Sequence, residues 1–402
     1  MRILHVSDLH IGKVVNGYPM ISDQRFVLEQ VLGMLEEHGV SALLLAGDIY
    51  DRSVPSADAV ACLDWFLTAV SELRVPVIAV PGNHDSAERL AFASSILRRQ
   101  NVYFPPAFDG TVESVTLNDD HGAVNFWLFP YLTPTSARPF FPEEDCIRDY
   151  TAALSAVIEA ANIDPSQRNV AISHQFVTGS TGKTERADEE LSLGGTDNVD
   201  ASVYACFDYV ALGHVHRAQR IAGRDEVRYS GSILKYSSSE ARFDKSAVLV
   251  EIGPKGDGDE PGSCTSVQLL PLRPLHDVRC IRGSLDELTS TEILSAADPK
   301  DYVYVTLTDE FRPMDATDRI RNAYPNFMSI GHERPDCGEG INTDAAVPTQ
   351  DVDPFELCPR FFAQQTGHEM TETQAKIARK LLEKALGAYA ASSDEHEKGG
   401  ML

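Results

Sequence analysis

Five short polar motifs, each directly following an apolar run, constrain the fold of this chain more than any other feature of the sequence. The motifs are Asp8-Leu9-His10, Gly47-Asp48, Gly82-Asn83-His84-Asp85, Ser173-His174 and Gly213-His214-Val215-His216. A short apolar run that ends in glycine or in a polar turn is typical of a buried strand. Because helical patterns separate these runs, we expect an α/β fold with helices flanking the sheet and polar loops meeting at the strand ends.

The hydrophobic periodicity gives approximate limits for the elements around these motifs. Strands are predicted at residues 1–7, 41–46, 76–80, 125–129, 169–173 and 208–212. Helices are predicted at residues 22–38, 56–73 and 143–161. The glycine-rich, acidic run 253–262 lies between two strand-like segments, so it predicts the tip of a long hairpin.

The second part of the chain predicts a modular arrangement. Thr371 and Gln374 form a candidate capping box, and the helix that follows them is expected to end at Gly387. The expected organisation is a first domain at 1–275, a small α+β domain at 276–332, an acidic linker at 333–352, a helical segment at 353–390 and a disordered tail at 391–402.

Seven side chains of the five motifs form a candidate set of metal ligands. In extended backbone, residues i and i+2 point the same way, so Asp8/His10 and His214/His216 can each aim two ligands at one point. If Asp48 bridges two ions, each ion receives four protein bonds, and positions remain for water and a phosphate oxygen. Such mixed ligands suit Mn, Fe or Zn better than Ca. The seven candidates are Asp8, His10, Asp48, Asn83, His174, His214 and His216.

The two residues after Asn83 are candidates for catalysis. His84 would face the substrate rather than the metals, as a general acid for the leaving oxygen or as a stabiliser of the transition state. Asp85 either orients the His84 ring or caps a helix that follows it, and the sequence leaves both interpretations open.

The charge distribution limits the classes of function. Lys plus Arg number 35 and Asp plus Glu number 60, a formal net charge of −25, which disfavours a purely DNA-binding module. Residues 210–245 are locally basic, and their side chains contact phosphate or simply form an ordinary charged surface. The candidate phosphate contacts are Arg217, Arg220, Lys235 and Arg242.

Seven scattered cysteines and the lack of a long apolar run predict a cytoplasmic protein with reduced thiols.

The motifs resemble those of the calcineurin-like metallophosphoesterases, and within that family the SbcD-type DNA repair nucleases. The stretches HVSDLHIGK, LLLAGDIYDRSVPS, VIAVPGNHDS and ISHQFV carry the family likeness, and ALGHVHRAQ and YSGSILKYS carry the more specific one. The resemblance implies a β-sandwich flanked by helices, with a DNA-capping domain and a C-terminal helical segment. It also implies two Mn ions, one held by Asp8, His10, Asp48 and His216, the other by Asp48, Asn83, His174 and His214.

The same resemblance implies an activity and partners. Expected are double-strand exonuclease and single-strand or hairpin endonuclease reactions in DNA repair, recombination and replication, with His84 catalytic. A homodimer would join an SbcC-type ATPase subunit in a heterotetramer, and the C-terminal segment would bind the coiled coil of that ATPase. An apolar face suited to this is formed by Phe355, Leu357, Phe361, Phe362, Ile377 and Leu381.

Two other functions share the same motifs. A small-molecule phosphodiesterase or phosphatase would use every candidate ligand, but it needs neither a cap domain nor a partner-binding segment. A non-catalytic scaffold would have lost a ligand, and the sequence retains all seven. The C-terminal helix could also pack on its own chain.

Overall fold

The computed structural model describes residues 1–141, 147–179, 197–256, 258–311, 313–333, 354–366 and 369–384. Several expectations lie outside these residues. They are the acidic linker beyond residue 333, the tail at 391–402, the first residues of the helix expected at 143–161, and the helix end at Gly387.

Two six-stranded sheets form the body of the first part of the chain. In spatial order, the first sheet contains Thr265–Leu272, Lys245–Ile252, Arg2–Val6, Ala42–Ala46, Val77–Val80 and Val102–Tyr103. The second contains Gln219–Ile221, Arg224–Tyr229, Tyr209–Gly213, Arg168–His174, Gly122–Phe129 and Glu113–Asp119. The central pairs are parallel, so their carboxyl ends lie at one edge of each sheet.

The two sheets face each other across a shared apolar core. Ile3, Leu44 and Ile78 of the first sheet and Phe126 and Ile172 of the second are fully buried in one cluster. Strands buried on both faces read as continuous apolar runs, which is why the sequence shows little alternation here. The β-sandwich flanked by helices is therefore confirmed.

Helices cover the outer faces of this sandwich. Ile21–Glu37 and Ala57–Glu72 pack on the first sheet, where apolar side chains spaced three and four residues apart, such as Val27 and Val31, meet the strands. Tyr150–Ala160 packs on the second sheet through Leu154 and Val157. Ser56 begins the second helix because its side chain accepts a hydrogen bond from the amide of Ala59.

The expected hairpin is also present, since Lys245–Ile252 pairs antiparallel with Thr265–Leu272 around the 253–262 tip.

The remaining elements are smaller. A three-stranded sheet has the order Val278–Gly283, Tyr302–Leu307, Phe327–His332. Two small two-stranded sheets pair Val14–Val15 with Tyr18–Pro19 and Phe176–Thr178 with Asn198–Asp200. The other helices are Ala87–Leu90, Ser94–Leu97, Pro134–Ala137, Leu285–Leu288, Thr291–Ser295, Ala316–Ala323, Pro354–Thr366 and 372–384, with 3-10 turns at Arg98–Gln100, Arg138–Phe140, Ala201–Tyr204 and Ser238–Glu240.

The described residues divide into two compact units. The first contains Met1–Cys280, Ala297–Tyr304 and Tyr324–Ser329, and the second contains the described parts of Ile281–Ala296, Val305–Ala323 and Ile330–Leu402. The predicted capping box is confirmed. The Thr371 hydroxyl accepts from the backbone N–H of Gln374, and the Gln374 side-chain oxygen accepts from the backbone N–H of Thr371. Among the described helices, none has the length and apolarity to span a bilayer.

Candidate metal centre

Four of the candidate ligands have left-handed backbone conformations. The φ angles are 51° at Asp8, 45° at His10, 48° at Asp48 and 105° at His214. The expected extended geometry at Asp8/His10 and His214/His216 is therefore wrong, since the strands end at Val6 and Gly213. Positive φ costs free energy in residues with a Cβ, and it is found mainly where function fixes the backbone.

Glycines of the motifs allow the loops to approach one another closely. A Cβ on Gly47, whose φ is 87°, would lie 2.2 Å from Nδ1 of His174. A Cβ on Gly213 would lie 1.7 Å from the carbonyl oxygen of Ala46. Only glycine fits at these positions, so the Gly-Asp and Gly-His pairs reflect packing around the site.

Asp48 lies at the centre of the candidate ligands. Its Oδ2 is 3.3 Å from Nε2 of His174 and 3.7 Å from Nε2 of His10. His10 and His216 direct their Nε2 atoms at each other across 3.1 Å. Two groups, Asp8 with His10 and His216, and Asp8 with Asp48 and His174, have ligand atoms within 4.8 Å of one another. A third such group joins His10, Asp48 and His84.

Asn83 connects the remaining candidates to this cluster. Its Oδ1 is 3.0 Å from Nε2 of His174 and 3.0 Å from Nδ1 of His214. The ring of Tyr131 stacks on His214, with centroids 6.2 Å apart and planes 23° apart. The structure thus brings all seven predicted side chains together, five of them buried and Asn83 and His214 more accessible.

Backbone groups orient the side chains of His174 and Asp8. The Nδ1 of His174 is 2.9 Å from the carbonyl oxygen of Ala46, which can only accept, so Nδ1 carries a proton and Nε2 faces the cluster. The backbone N–H of His214 donates to Oδ1 of Asp8 at 2.9 Å. These contacts hold the loop ends in a fixed arrangement around Asp48.

A family model described as calcineurin-like phosphoesterase matches residues 1–218 of the 402. The chain belongs to the calcineurin-like phosphoesterase family. A second model, SbcD_C, described as type 5 capsule protein repressor C-terminal domain, matches residues 274–366. Together the two matches are consistent with an SbcD-type nuclease. The family uses a dimetal centre and implies metal-dependent hydrolysis of phosphoesters.

Comparison with solved structures gives matches at low identity and low TM-score. A dimetal phosphatase from Danio rerio is 12% identical, with 66% of this chain and 98% of that one covered and a TM-score of 0.36. The protein TT1561 of Thermus thermophilus is 14% identical, with coverages of 68% and 99% and a TM-score of 0.35. Yfce, a phosphoesterase from E. coli, is 16% identical, with coverages of 66% and 98% and a TM-score of 0.25.

The electrostatics of this phosphoesterase cluster fit cation binding. Burial acts to lower the pKa of His174, but the Asp48 carboxylate outweighs it and raises the pKa to about 9. Burial acts to raise the pKa of Asp48, but His174 and His10 hold it below its ordinary range. Burial lowers the pKa of His10 and raises that of Asp8. The donor set fits a metal, because it combines an ionised Asp48 carboxylate, a neutral His10 ring and the facing Nε2 atoms of His10 and His216.

A buried ion pair behind His216 was not predicted from the sequence. Oε1 of Glu240 is 3.2 Å from Nδ1 of His216, and Lys245 donates to the other carboxylate oxygen. Burial acts to raise the pKa of Glu240, but Lys245 and His216 lower it below its ordinary range. Glu240 follows three serines, a composition typical of an exposed loop, so the local sequence gave no signal of its burial.

His84 and Asp85 have different partners from those expected. Nδ1 of His84 is 2.9 Å from the carbonyl oxygen of Asp51, and the backbone N–H of His84 donates to Oδ1 of Asp48 at 2.9 Å. The Asp85 carboxylate accepts from three backbone N–H groups, those of Ile49, Tyr50 and Gly82.

These bonds mean that Asp85 neither orients the His84 ring nor caps the next helix, whose cap is Ser86. Instead it ties the Asp48 loop to the Asn83 loop. Burial, with the Asp48 charge, raises the pKa of Asp85 to about 6.

The basic residues of 210–245 differ in accessibility. The guanidinium carbons of Arg217 and Arg242 lie 4.3 and 4.9 Å from the ring centre of Phe243. Arg220 is exposed and pairs with Asp225. Lys235 is only 10% exposed and its Nζ lies 2.8 Å from an Asp277 oxygen, which leaves it poorly placed to reach phosphate.

The C-terminal candidates fall into two groups. Phe355 and Phe362 are half-buried, and the Arg379 guanidinium carbon lies 5.8 Å from the ring centre of Phe355. The other four side chains are exposed, three of them by more than half. They are Leu357, Phe361, Ile377 and Leu381.

Proposed function

We propose that this phosphoesterase is the nuclease subunit of an SbcCD-type complex and hydrolyses DNA phosphodiester bonds with two Mn ions. One observation carries the proposal: ligand-capable side chains converge on Asp48 in a chain whose residues 274–366 match SbcD_C. A phosphoesterase of small substrates has no need of that additional region. The proposed role is repair, recombination and replication of DNA in the cytoplasm.

Two ligand sets share Asp48 in this proposal. The first ion would be held by Asp8, His10, Asp48 and His216, and the second by Asp48, Asn83, His174 and His214. Bound divalent cations would supply Lewis-acid stabilisation of the phosphoryl charge and an activated water. The protein holds the ligands rigidly, because they lie on strand ends and on backbone of fixed conformation.

His84 is proposed to protonate the leaving oxygen. Its Nδ1 faces the carbonyl oxygen of Asp51, which only accepts, so that nitrogen carries one proton. In the imidazolium form Nε2 carries a second proton, which can pass to the leaving 3′ or 5′ oxygen as the P–O bond breaks. Asp85 would act indirectly, by holding the Asn83–His84 loop on the Asp48 loop.

The remaining contacts of the complex are proposed from exposure and charge. Arg217, Arg220 and Arg242 would contact DNA phosphates, whereas Lys235 is the weakest candidate because Asp277 neutralises it. Residues 276–332 would cap the DNA, and residues 353–390, tethered by the acidic linker, would bind an SbcC-type ATPase within a heterotetramer built on a homodimer. The exposed apolar residues of the C-terminal helices suit a helix-in-groove or helix-on-helix interface.

The test compares two substrates with the purified chain. We expect Mn-dependent cleavage of an end-labelled linear duplex, abolished by a chelator and stimulated by an SbcC-type ATPase with ATP. Turnover of bis-p-nitrophenyl phosphate without cleavage of DNA, even with the ATPase present, would identify a small-molecule phosphodiesterase instead.

A further inference from the structure

A buried cation–carboxylate pair lies directly behind the candidate ligand His216. Lys245 and Glu240 have side chains that are 5% and 1% exposed. The ammonium donates to a Glu240 oxygen, to the Ser232 hydroxyl at 2.7 Å and to the carbonyl oxygen of His216 at 2.8 Å. All three N–H groups of the ammonium therefore have acceptors, as burial of a charge requires.

The carboxylate is shared between the lysine and the histidine. Oε2 of Glu240 faces Lys245, while Oε1 faces Nδ1 of His216 at 3.2 Å and the backbone N–H of Tyr236 at 3.3 Å. A carboxylate only accepts, so the His216 ring must carry its proton on Nδ1. Its Nε2 then presents a lone pair on the side where Nε2 of His10 lies 3.1 Å away.

We propose that Glu240 and Lys245 are positioning residues that hold His216 in the Nδ1-protonated tautomer, so that Nε2 can bind a divalent cation. This inference rests on the proposed function, because it assumes that His216 is a metal ligand. Lys245 holds the Glu240 carboxylate, and the carboxylate holds the proton on Nδ1 of the His216 ring. A further hydrogen bond from Lys245 holds the backbone carbonyl of His216 itself.

The substitution Glu240→Gln tests this chain of contacts without changing side-chain size. The amide oxygen is expected to face the Lys245 ammonium, because an NH2 group there would oppose a charged donor, whereas on the other side it opposes only the backbone N–H of Tyr236 at 3.3 Å. The NH2 group then faces Nδ1 of His216, which must accept, so the ring proton moves to Nε2 and blocks the cation. We expect one of the two Mn ions to bind about 10- to 100-fold more weakly, as for other groups that orient metal ligands.

Asp208→Asn is the matched control. Asp208 and Lys255 form another buried pair, with side chains 0% and 2% exposed and an Oδ1–Nζ distance of 2.9 Å. The carboxylate of Asp208 bonds to Lys255 and to the backbone of Asn169 and Gly262, not to a candidate ligand. This variant is expected to lose stability to a similar degree and to bind both ions with unchanged affinity.

A second variant reverses the effect. In Glu240→Gln combined with Lys245→Met, no ammonium holds the amide oxygen, so the amide can turn and accept from Nδ1 of His216. The affinity for the weakened ion should then recover relative to Glu240→Gln alone. A merely structural role predicts the opposite, because the double variant removes more buried bonds than the single one.

The experiment is calorimetric titration of the full chain with Mn, together with a nitrogen-15 histidine spectrum of the metal-free protein. We expect the spectrum to show a proton on Nδ1 of His216 in the wild type and on Nε2 in Glu240→Gln. We expect the titration to show the weaker binding of one Mn ion by Glu240→Gln. Equal binding by Glu240→Gln and wild type overturns the inference. If Glu240→Gln does not fold, the wild-type spectrum decides, because a proton on Nε2 of His216 overturns it. A wild type that binds no divalent ion contradicts the proposed function instead.

Discussion

The substitution Gly82→Ala is predicted to displace the central carboxylate of the site. A Cβ at residue 82 would lie 2.1 Å from Oδ1 of Asp48 and 2.4 Å from its backbone nitrogen, whereas real Cβ atoms keep at least 3.0 Å from such neighbours. The difference between 2.1 and 3.0 Å is 0.9 Å, and a backbone atom is among the obstacles. Asp48 is 3% exposed, so it has little free space to move into.

A displacement of about 1 Å in a reacting group can cost about 100-fold in rate, which corresponds to roughly 2.7 kcal/mol of transition-state stabilisation. Overpacking should also lower the free energy of unfolding by about 1–3 kcal/mol. The assay is Mn-dependent cleavage of an end-labelled duplex, with Mn binding and urea unfolding measured on the same preparation.

Gly33→Ala is the control for the Gly82 substitution. Gly33 lies inside the helix Ile21–Glu37, and a Cβ there meets nothing within 4 Å. We expect this variant to be more stable by about 0.5–1 kcal/mol and to retain full activity. If Gly82→Ala cleaved DNA and bound Mn as Gly33→Ala does, the assignment of Asp48 as a rigidly held bridging ligand would be refuted.

Three further predictions concern the site and one concerns the C-terminal segment. His84→Gln should retain both ions in calorimetry and lose cleavage, and wild-type cleavage would remove His84 from the mechanism. Asp48→Ala should bind neither ion tightly, and retention of both would rule out its bridging role. Asp85→Ala leaves three backbone N–H groups without their acceptor, so urea unfolding should show a loss of roughly 3 kcal/mol; no loss would contradict the loop-tying role. A chain truncated at residue 350 should fail to capture an SbcC-type ATPase in a pull-down, and capture would place the interface elsewhere.

The sequence predicted the layers of the fold because the relevant signals are local. Buried strands such as Ala42–Ala46 are short apolar runs, and the helix Ile21–Glu37 shows apolar residues three and four positions apart. The convergence of the candidate ligands was also predictable, since parallel strands place their carboxyl ends at one edge. The capping box at Thr371 is another local signal that the structure confirms.

Features set by contacts between distant segments were not predictable. The left-handed backbone at Asp8 and Asp48 depends on how the loops pack against one another, which no local pattern encodes. Glu240 contacts His216 across 24 residues of chain, and its neighbours in the sequence are typical of a surface loop. The bonds of Asp85 to Ile49 and Tyr50 join loops 35 residues apart or more, so the expected contact with its neighbour His84 was the simpler interpretation.

Anomalous diffraction from crystals of the full chain grown with Mn tests the two-metal site directly. Two anomalous peaks are expected about 3.5–4 Å apart. The Asp48 carboxylate should lie between them, with Asp8, His10 and His216 around one peak and Asn83, His174 and His214 around the other. One peak alone, or none, with these side chains ordered and unmoved would contradict a two-metal phosphoesterase site.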